Sequence, residues 1–193
     1  SLGLVGSEMC IRDSGNVNTA LNYNTTTGTL TLRGLAGGST RANVHIGENN
    51  GGSTNNASGG SFNLSGSTST SLSGGNADLL IDVLTISRRT AGNNDTSSMT
   101  FQSGVMNVNT LTAGNSTGGN NATATVTLNG GTVTFNTAVT LGLASSTGTG
   151  SATLNVAGAS VTSTPGIVMG SQTNGTVNSV SYTHLTLPTK RIV

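Results

Sequence analysis

Apolar and polar residues alternate along most of the chain, and the alternating stretches return at a near-constant interval. LTIS at 84–87, LTAG at 111–114, VTLG at 139–142 and IVMG at 167–170 stand 27, 28 and 28 residues apart. MTFQSG at 99–104, VTLNGG at 126–131 and LNVAGA at 154–159 form a second set with matching spacings, and VMNVNT at 105–110, TVTFNT at 132–137 and SVTSTP at 160–165 form a third. The period of two in Val126, Thr127, Leu128 or Val133, Thr134, Phe135 puts the apolar side chains of each stretch on one face of a strand. Gly104, Gly131 and Ala159 fall between the second and third sets, where the chain must bend with little room for a side chain. No helical periodicity accompanies these patterns.

Short strands recurring at a coil-length period predict an all-β fold, specifically a right-handed parallel β-solenoid (β-helix) of about 28 residues and three short strands per coil. A sandwich built from hairpins has no need of such a register. Stacking predicts the columns Met106–Val133–Val161, Phe101–Leu128–Val156 and Ile86–Ala113–Leu141–Met169 inside, with Asn107–Thr134–Thr162 as an outer polar ladder. A coil has only about six inward apolar side chains, each contributing about 1.5–3 kcal/mol when buried. Ordering its backbone costs about 1–2 kcal/mol per residue, so one coil cannot fold without neighbours. About six coils are expected, spanning roughly 28 Å at about 4.8 Å per coil.

The stretches 48–60, 115–124 and 143–152 are polar and rich in Gly and Asn, as tight turns require. The register is less plain from Ser65 to Val83, because VHIG at 44–47 precedes LTIS by 40 residues. GNADLLIDV at 75–83 reads as an inserted or lengthened strand, and GTLTLRG at 28–34 as part of an incomplete coil.

Both ends differ from what lies between them. GLVGSEMCIRDS at 3–14 and SVSYTHLTLPTKRIV at 179–193 hold the only Cys (Cys10), the only Lys (Lys190), and one each of the two His, Pro and Tyr residues. Met9–Ser14 resembles the translation of ATG TGT ATA AGA GAC AG, the mosaic end of a transposase-type sequencing adapter. Val180–Leu185 resembles its reverse complement, GTC TCT TAT ACA CAT CT. The resemblance implies that 1–14 and 179–193 are adapter-derived and stand outside fold reasoning. The remaining segment, 15–178, is then a β-solenoid fragment uncapped at both ends. It has Arg33, Arg41, Arg88 and Arg89 against Glu48, Asp78, Asp82 and Asp95, hence no net charge, and it has no Cys.

Charged residues are 7% of the 193-residue chain and aromatics 3%, with a net charge of +1. Binding nucleic acid through a basic face needs clustered Lys and Arg, and single strands need stacking aromatics, so no nucleic-acid partner is expected. Asp78 and Asp82 share a face of an extended ADLLIDV strand, and paired carboxylates are the working groups of glycoside hydrolases. The other acids, Glu48 and Asp95, do not join them, and solvated strand-face acids are the expected reading. GGNAD at 74–78 and AGNNDT at 91–96 each match part of a calcium-binding nonapeptide, but that motif works in tandem copies, so turn chemistry is expected. His45 reads as a lone surface histidine, and Arg88 and Arg89 as solubilising residues at the mouth of a polar loop. No catalytic, cofactor-binding or metal-binding residue is assigned, and no cofactor is expected.

The pattern of strand, Gly/Asn loop, strand and Gly-Gly turn in ATVTLNGGTVTFNTAVTLG at 124–142 and SATLNVAGASVTS at 151–163 resembles passenger regions of bacterial autotransporter-like proteins, including autotransporter-associated β-strand repeat proteins, over roughly 43–179. That resemblance implies an exported protein, extracellular or on the bacterial cell surface, with a structural or adhesive role and no catalysis of its own. The alternative it leaves open is a polysaccharide-processing passenger, a lyase or hydrolase, whose catalytic coils lie elsewhere. The implied partners are host or matrix glycans or proteins, together with self-association through open strand edges. No direct membrane insertion by this fragment is expected.

Overall fold

The structure is a computed structural model that describes residues 19–22, 29–34, 36–50, 60–64, 76–91, 93–144, 147–169, 173–179 and 185–186. The described residues form fourteen strands and no helix. One sheet contains β1 (Thr19–Asn22), β4 (Gly60–Leu64), β6 (Asp95–Phe101), β8 (Ala122–Leu128), β10 (Gly150–Val156) and β13 (Thr173–Ser179), in that spatial order. The other runs β14 (Leu185–Thr186), β11 (Ser160–Ser163), β9 (Thr132–Ala144), β7 (Gly104–Ser116), β5 (Asn76–Ala91) and β2 (Thr29–Leu32). On this second sheet β12 (Val168–Met169) also pairs with β9, and β3 (Ala42–Asn50) with β5. Every pairing in both sheets is parallel.

The chain thus alternates between two stacked sheets, each crossing adding a strand beside its predecessor. The registers match the columns expected from sequence. Phe101 stands opposite Leu128 and Leu128 opposite Val156, while Met106, Val133 and Val161 align on the other sheet. Ile46, Ile86, Ala113, Leu141 and Met169 form one continuous row. Alternation then fills the space between the sheets with one apolar cluster, in which Ile81, Leu84, Phe101, Leu111, Leu128, Phe135 and Leu154 are completely buried.

Three details differ from the sequence reading. First, GNADLLIDV, open to two readings, is part of a lengthened strand and not an insertion. Ala77, Leu79 and Ile81 align with Gly104, Met106 and Val108, so this stretch is the counterpart of VMNVNT, and it runs without a break into LTIS as β5. Second, the third and first repeat sets also join into single strands in β7 and β9. They separate again at β11 and β12, where Pro165 has no N–H to give to a ladder. Third, the 27–28 spacing holds at the centre but not throughout: Phe62 opposite Met99 is a step of 37, and Leu154 opposite Val177 a step of 23.

Of the adapter-like ends, 1–14 lies outside the described residues. At the other end Ser179 closes β13, and Leu185 and Thr186 pair with Val161 and Thr162. Backbone groups at an open sheet edge accept an alternating segment whatever its origin.

A sharp corner follows each of Ile46, Ile86, Ala113 and Leu141 in their shared row. Gly47, Gly114 and Gly142 have φ of 65°, 67° and 64°, and the row is completed by Ser87 at 54°. A Cβ at Gly114 would collide with the backbone carbonyl of Ser151 on the facing sheet. Ser87 holds the left-handed conformation with its hydroxyl donating to the Asp95 carbonyl at 3.2 Å. Replacing Gly114 by Ala is therefore expected to destabilise the fold by about 1–3 kcal/mol from backbone strain alone, whereas Ser87→Gly should change stability by less than about 1 kcal/mol. Urea denaturation of the two variants checks this, and an unchanged midpoint for Gly114→Ala contradicts it.

Candidate functional site

Of the charged side chains of β5, Asp82 lies where the pairing with β3 slips in register, and Asp78 lies in unbroken register with β2 and β7. Alternation turns Asp78 and Asp82 outward while Ala77, Leu79 and Ile81 face the core. Asp78 forms an ion pair with Arg33, Nη2 to Oδ2 at 2.6 Å, and Arg33 also donates to the Leu32, Gly38 and Asp78 carbonyls. Asp82 accepts from the Asn109 amide at 2.8 Å. The two carboxylates share a face, as the sequence implies, but each has its own partner from a different element.

Register shifts between Ala42 and Asn43 and between Val108 and Thr110 interrupt the ladder near this edge. The polar side chains there bridge successive strands. Arg41 donates to the Ile81 and Asn107 carbonyls and to the Asn107 side chain, at 2.9, 3.2 and 2.9 Å. Asn136 donates to Asn107 Oδ1, Val108 O and Asn109 Oδ1 at 2.7, 3.2 and 3.1 Å. Multidentate donors thus tie strands together where the chain carries an extra residue.

A second polar group lies inside the molecule, and sequence reasoning missed it. Arg89, read above as a solubilising loop residue, is completely buried, as is Asp95, which was read as part of a turn. The register explains both. Arg89 aligns with Ser116, which in turn aligns with Ala144, and Asp95 aligns with Ala122 and then Gly150. The strand pair β5 and β6 therefore carries a cation and an anion where the next two pairs, β7 with β8 and β9 with β10, carry small residues. The Arg89 guanidinium nitrogens make no hydrogen bond. Burial lowers the Arg89 pKa from its ordinary value, and the Asp95 carboxylate opposes that shift. Asp95 in turn accepts from Ser97 Oγ at 3.1 Å.

The outward face of the six-stranded sheet is of a different kind. Its aligned positions are Thr96–Thr123–Ser151, Ser98–Thr125–Thr153 and Thr100–Thr127–Asn155. None is charged or aromatic, and no register shift interrupts the pairing. Just ahead of these strands Asn94 Oδ1 accepts from the Asn121 N–H and Asn121 Oδ1 from the Thr149 N–H, at 2.9 and 3.1 Å. This short asparagine ladder carries the backbone pairing into the turns.

His45 is half-buried and aligned with Thr85, and Arg88 is half-buried beside Asn115 in the register. Among the described residues no group of three or more His, Cys, Asp or Glu side chains is placed to hold a metal ion. No helix among them is long and apolar enough to cross a membrane. Of GGNAD, residues 76–78 open β5 and Asp78 pairs with Arg33, while 74–75 and the side chain of Glu48 lie outside the described residues. Compared with protein-family models, curated proteins and solved structures, the chain matches none.

Two stability experiments test these interior and turn assignments. Replacing an incompletely compensated buried charge by a well-packed apolar side chain is often stabilising by about 1–4 kcal/mol, and Arg89→Met is expected to fall in that range. Asp95→Asn should lower stability by removing the field that favours the cation. Because folding lowers the Arg89 pKa, its contribution improves only as pH rises through the folded value toward the unfolded one. Below that alkaline window the cost is constant. Urea titrations at neutral pH measure both variants, and a large loss on Arg89→Met contradicts the account. In the turn, Asn121→Ala is expected to cost about 1 kcal/mol, and Asn121→Asp, which keeps the acceptor, less.

Proposed function

We propose that the described core is a right-handed parallel β-solenoid and that the chain is part of an exported bacterial surface protein with a structural or adhesive role. The observation that supports this reading best is the unbroken parallel stacking from β4 through β6, β8 and β10 to β13, with the same alternation of inward and outward side chains in β6, β8 and β10. A rod grown by adding coils places a repeated surface at a distance from its anchor and needs no closed cavity. The coil is then 27–28 residues at its centre.

The acids support a structural role in the same way. Asp78 and Asp82 are engaged by Arg33 and Asn109, and Asp95 faces inward beside Arg89. The partners of such a rod are host or matrix glycans or proteins, reached through its outer faces.

Purified full chain incubated with a panel of polysaccharides, with product release followed by reducing ends and by unsaturated uronate absorbance, tests the noncatalytic reading. No turnover is expected, and Asp78→Asn and Asp82→Asn should leave the assay unchanged. Turnover abolished by either substitution refutes it. Binding to immobilised matrix proteins and glycans, read separately, is the expected positive activity.

A further inference from the structure

We propose that the outward face of the six-stranded sheet binds ice. The inference rests on the parallel register of β6, β8 and β10 and stands whether or not the surface-protein reading holds. In β8 the outward residues are Thr123, Thr125 and Thr127, and hydroxyl or amide side chains occupy the aligned positions on both neighbours. The pairing continues into β13, where Asn174, Thr176 and Asn178 take the same places in the register.

Parallel pairing fixes the dimensions of this array. Neighbouring side chains lie about 4.8 Å apart across the strands, and alternate residues along a strand about 6.6 Å apart. The first distance is close to the short repeat of a prism face of hexagonal ice, and the second is somewhat shorter than its long repeat. Threonine suits such a surface because its methyl group orders nearby water while its hydroxyl joins the resulting hydrogen-bonded layer.

Charge and ring chemistry select ice over other surfaces. Arg33, Arg41, Asp78 and Asp82 gather at the other sheet, whereas the described outward positions of β6, β8 and β10 carry no charge. An uncharged lattice offers no compensation for displacing water from an ion, so a charge-free face is the complementary one. A crystalline glycan is also uncharged, but its sugar rings are held by stacking on aromatic side chains, and this grid has none.

The test is ice-affinity partition of the full chain, combined with recrystallisation inhibition, and it uses two threonine variants. Thr125→Tyr places a bulky ring at the centre of the grid. Thr134→Tyr makes the same change on the eight-stranded sheet, and circular dichroism checks that both retain the β-sheet signal. The expected result is enrichment of the wild-type chain in ice, most of it lost in Thr125→Tyr and retained in Thr134→Tyr. No enrichment of the folded wild-type chain, equal loss in the two variants, or partition onto cellulose or chitin in place of ice overturns the proposal. None of these outcomes bears on polysaccharide turnover, which tests the proposed function independently.

Discussion

Parallel, in-register backbone pairing is the constraint on which everything else in this structure depends. Strands such as Ala122–Leu128 and Gly150–Val156 are seven residues long, and each buries only its alternate side chains. Such a strand is insufficient alone. Aligning each strand with its predecessor turns isolated side chains into columns, such as Phe101, Leu128 and Val156, and extends the core one layer at a time. The same alignment propagates the outer surface, so a threonine in β8 is matched by a hydroxyl or amide on each neighbouring strand.

The constraint also explains where the polar residues go. A parallel ladder satisfies backbone groups along the strands but not at corners or slips in register. There the molecule uses Arg41, Asn107 and Asn136 at the bulged edge, and Asn94 and Asn121 at the turn ahead of the six-stranded sheet. Glycine closes most of the left-handed corners, with Ser87 taking the same conformation in the coil that also encloses Arg89 and Asp95. That coil combines a strained serine and a buried charge within a few residues, and is the least regular part of an otherwise repetitive interior.

Much of this arrangement was legible in the sequence because alternation and spacing report directly on it. The Met106 and Phe101 columns follow from counting residues, and so does the outward position of Asp78 and Asp82. The merging of two repeat sets into β5, β7 and β9 was not legible, since the junctions at 83–84, 110–111 and 137–139 carry neither glycine nor proline to show whether the strand turns or continues. The role of GNADLLIDV was hidden by the 40 residues between VHIG and LTIS, which obscure the period. Arg89 was misread for a related reason. A charged pair next to a Gly/Asn-rich loop suggests solvent, and only the alignment of Arg89 with Ser116 shows that its position faces inward. The signal available in the sequence was its distance of 27 residues from Ser116, the spacing that separates LTIS from LTAG.

The central claim is the parallel register, and paired spin labels measure it most directly. With Cys10 replaced by Ser, nitroxides at Thr100→Cys and Thr127→Cys occupy directly opposite positions on neighbouring strands. Labels at Thr100→Cys and Thr123→Cys are offset by four residues, about 13 Å along the strand. The account predicts strong dipolar broadening for the first pair and clearly weaker broadening for the second. Equal broadening, or stronger broadening for the offset pair, would contradict it.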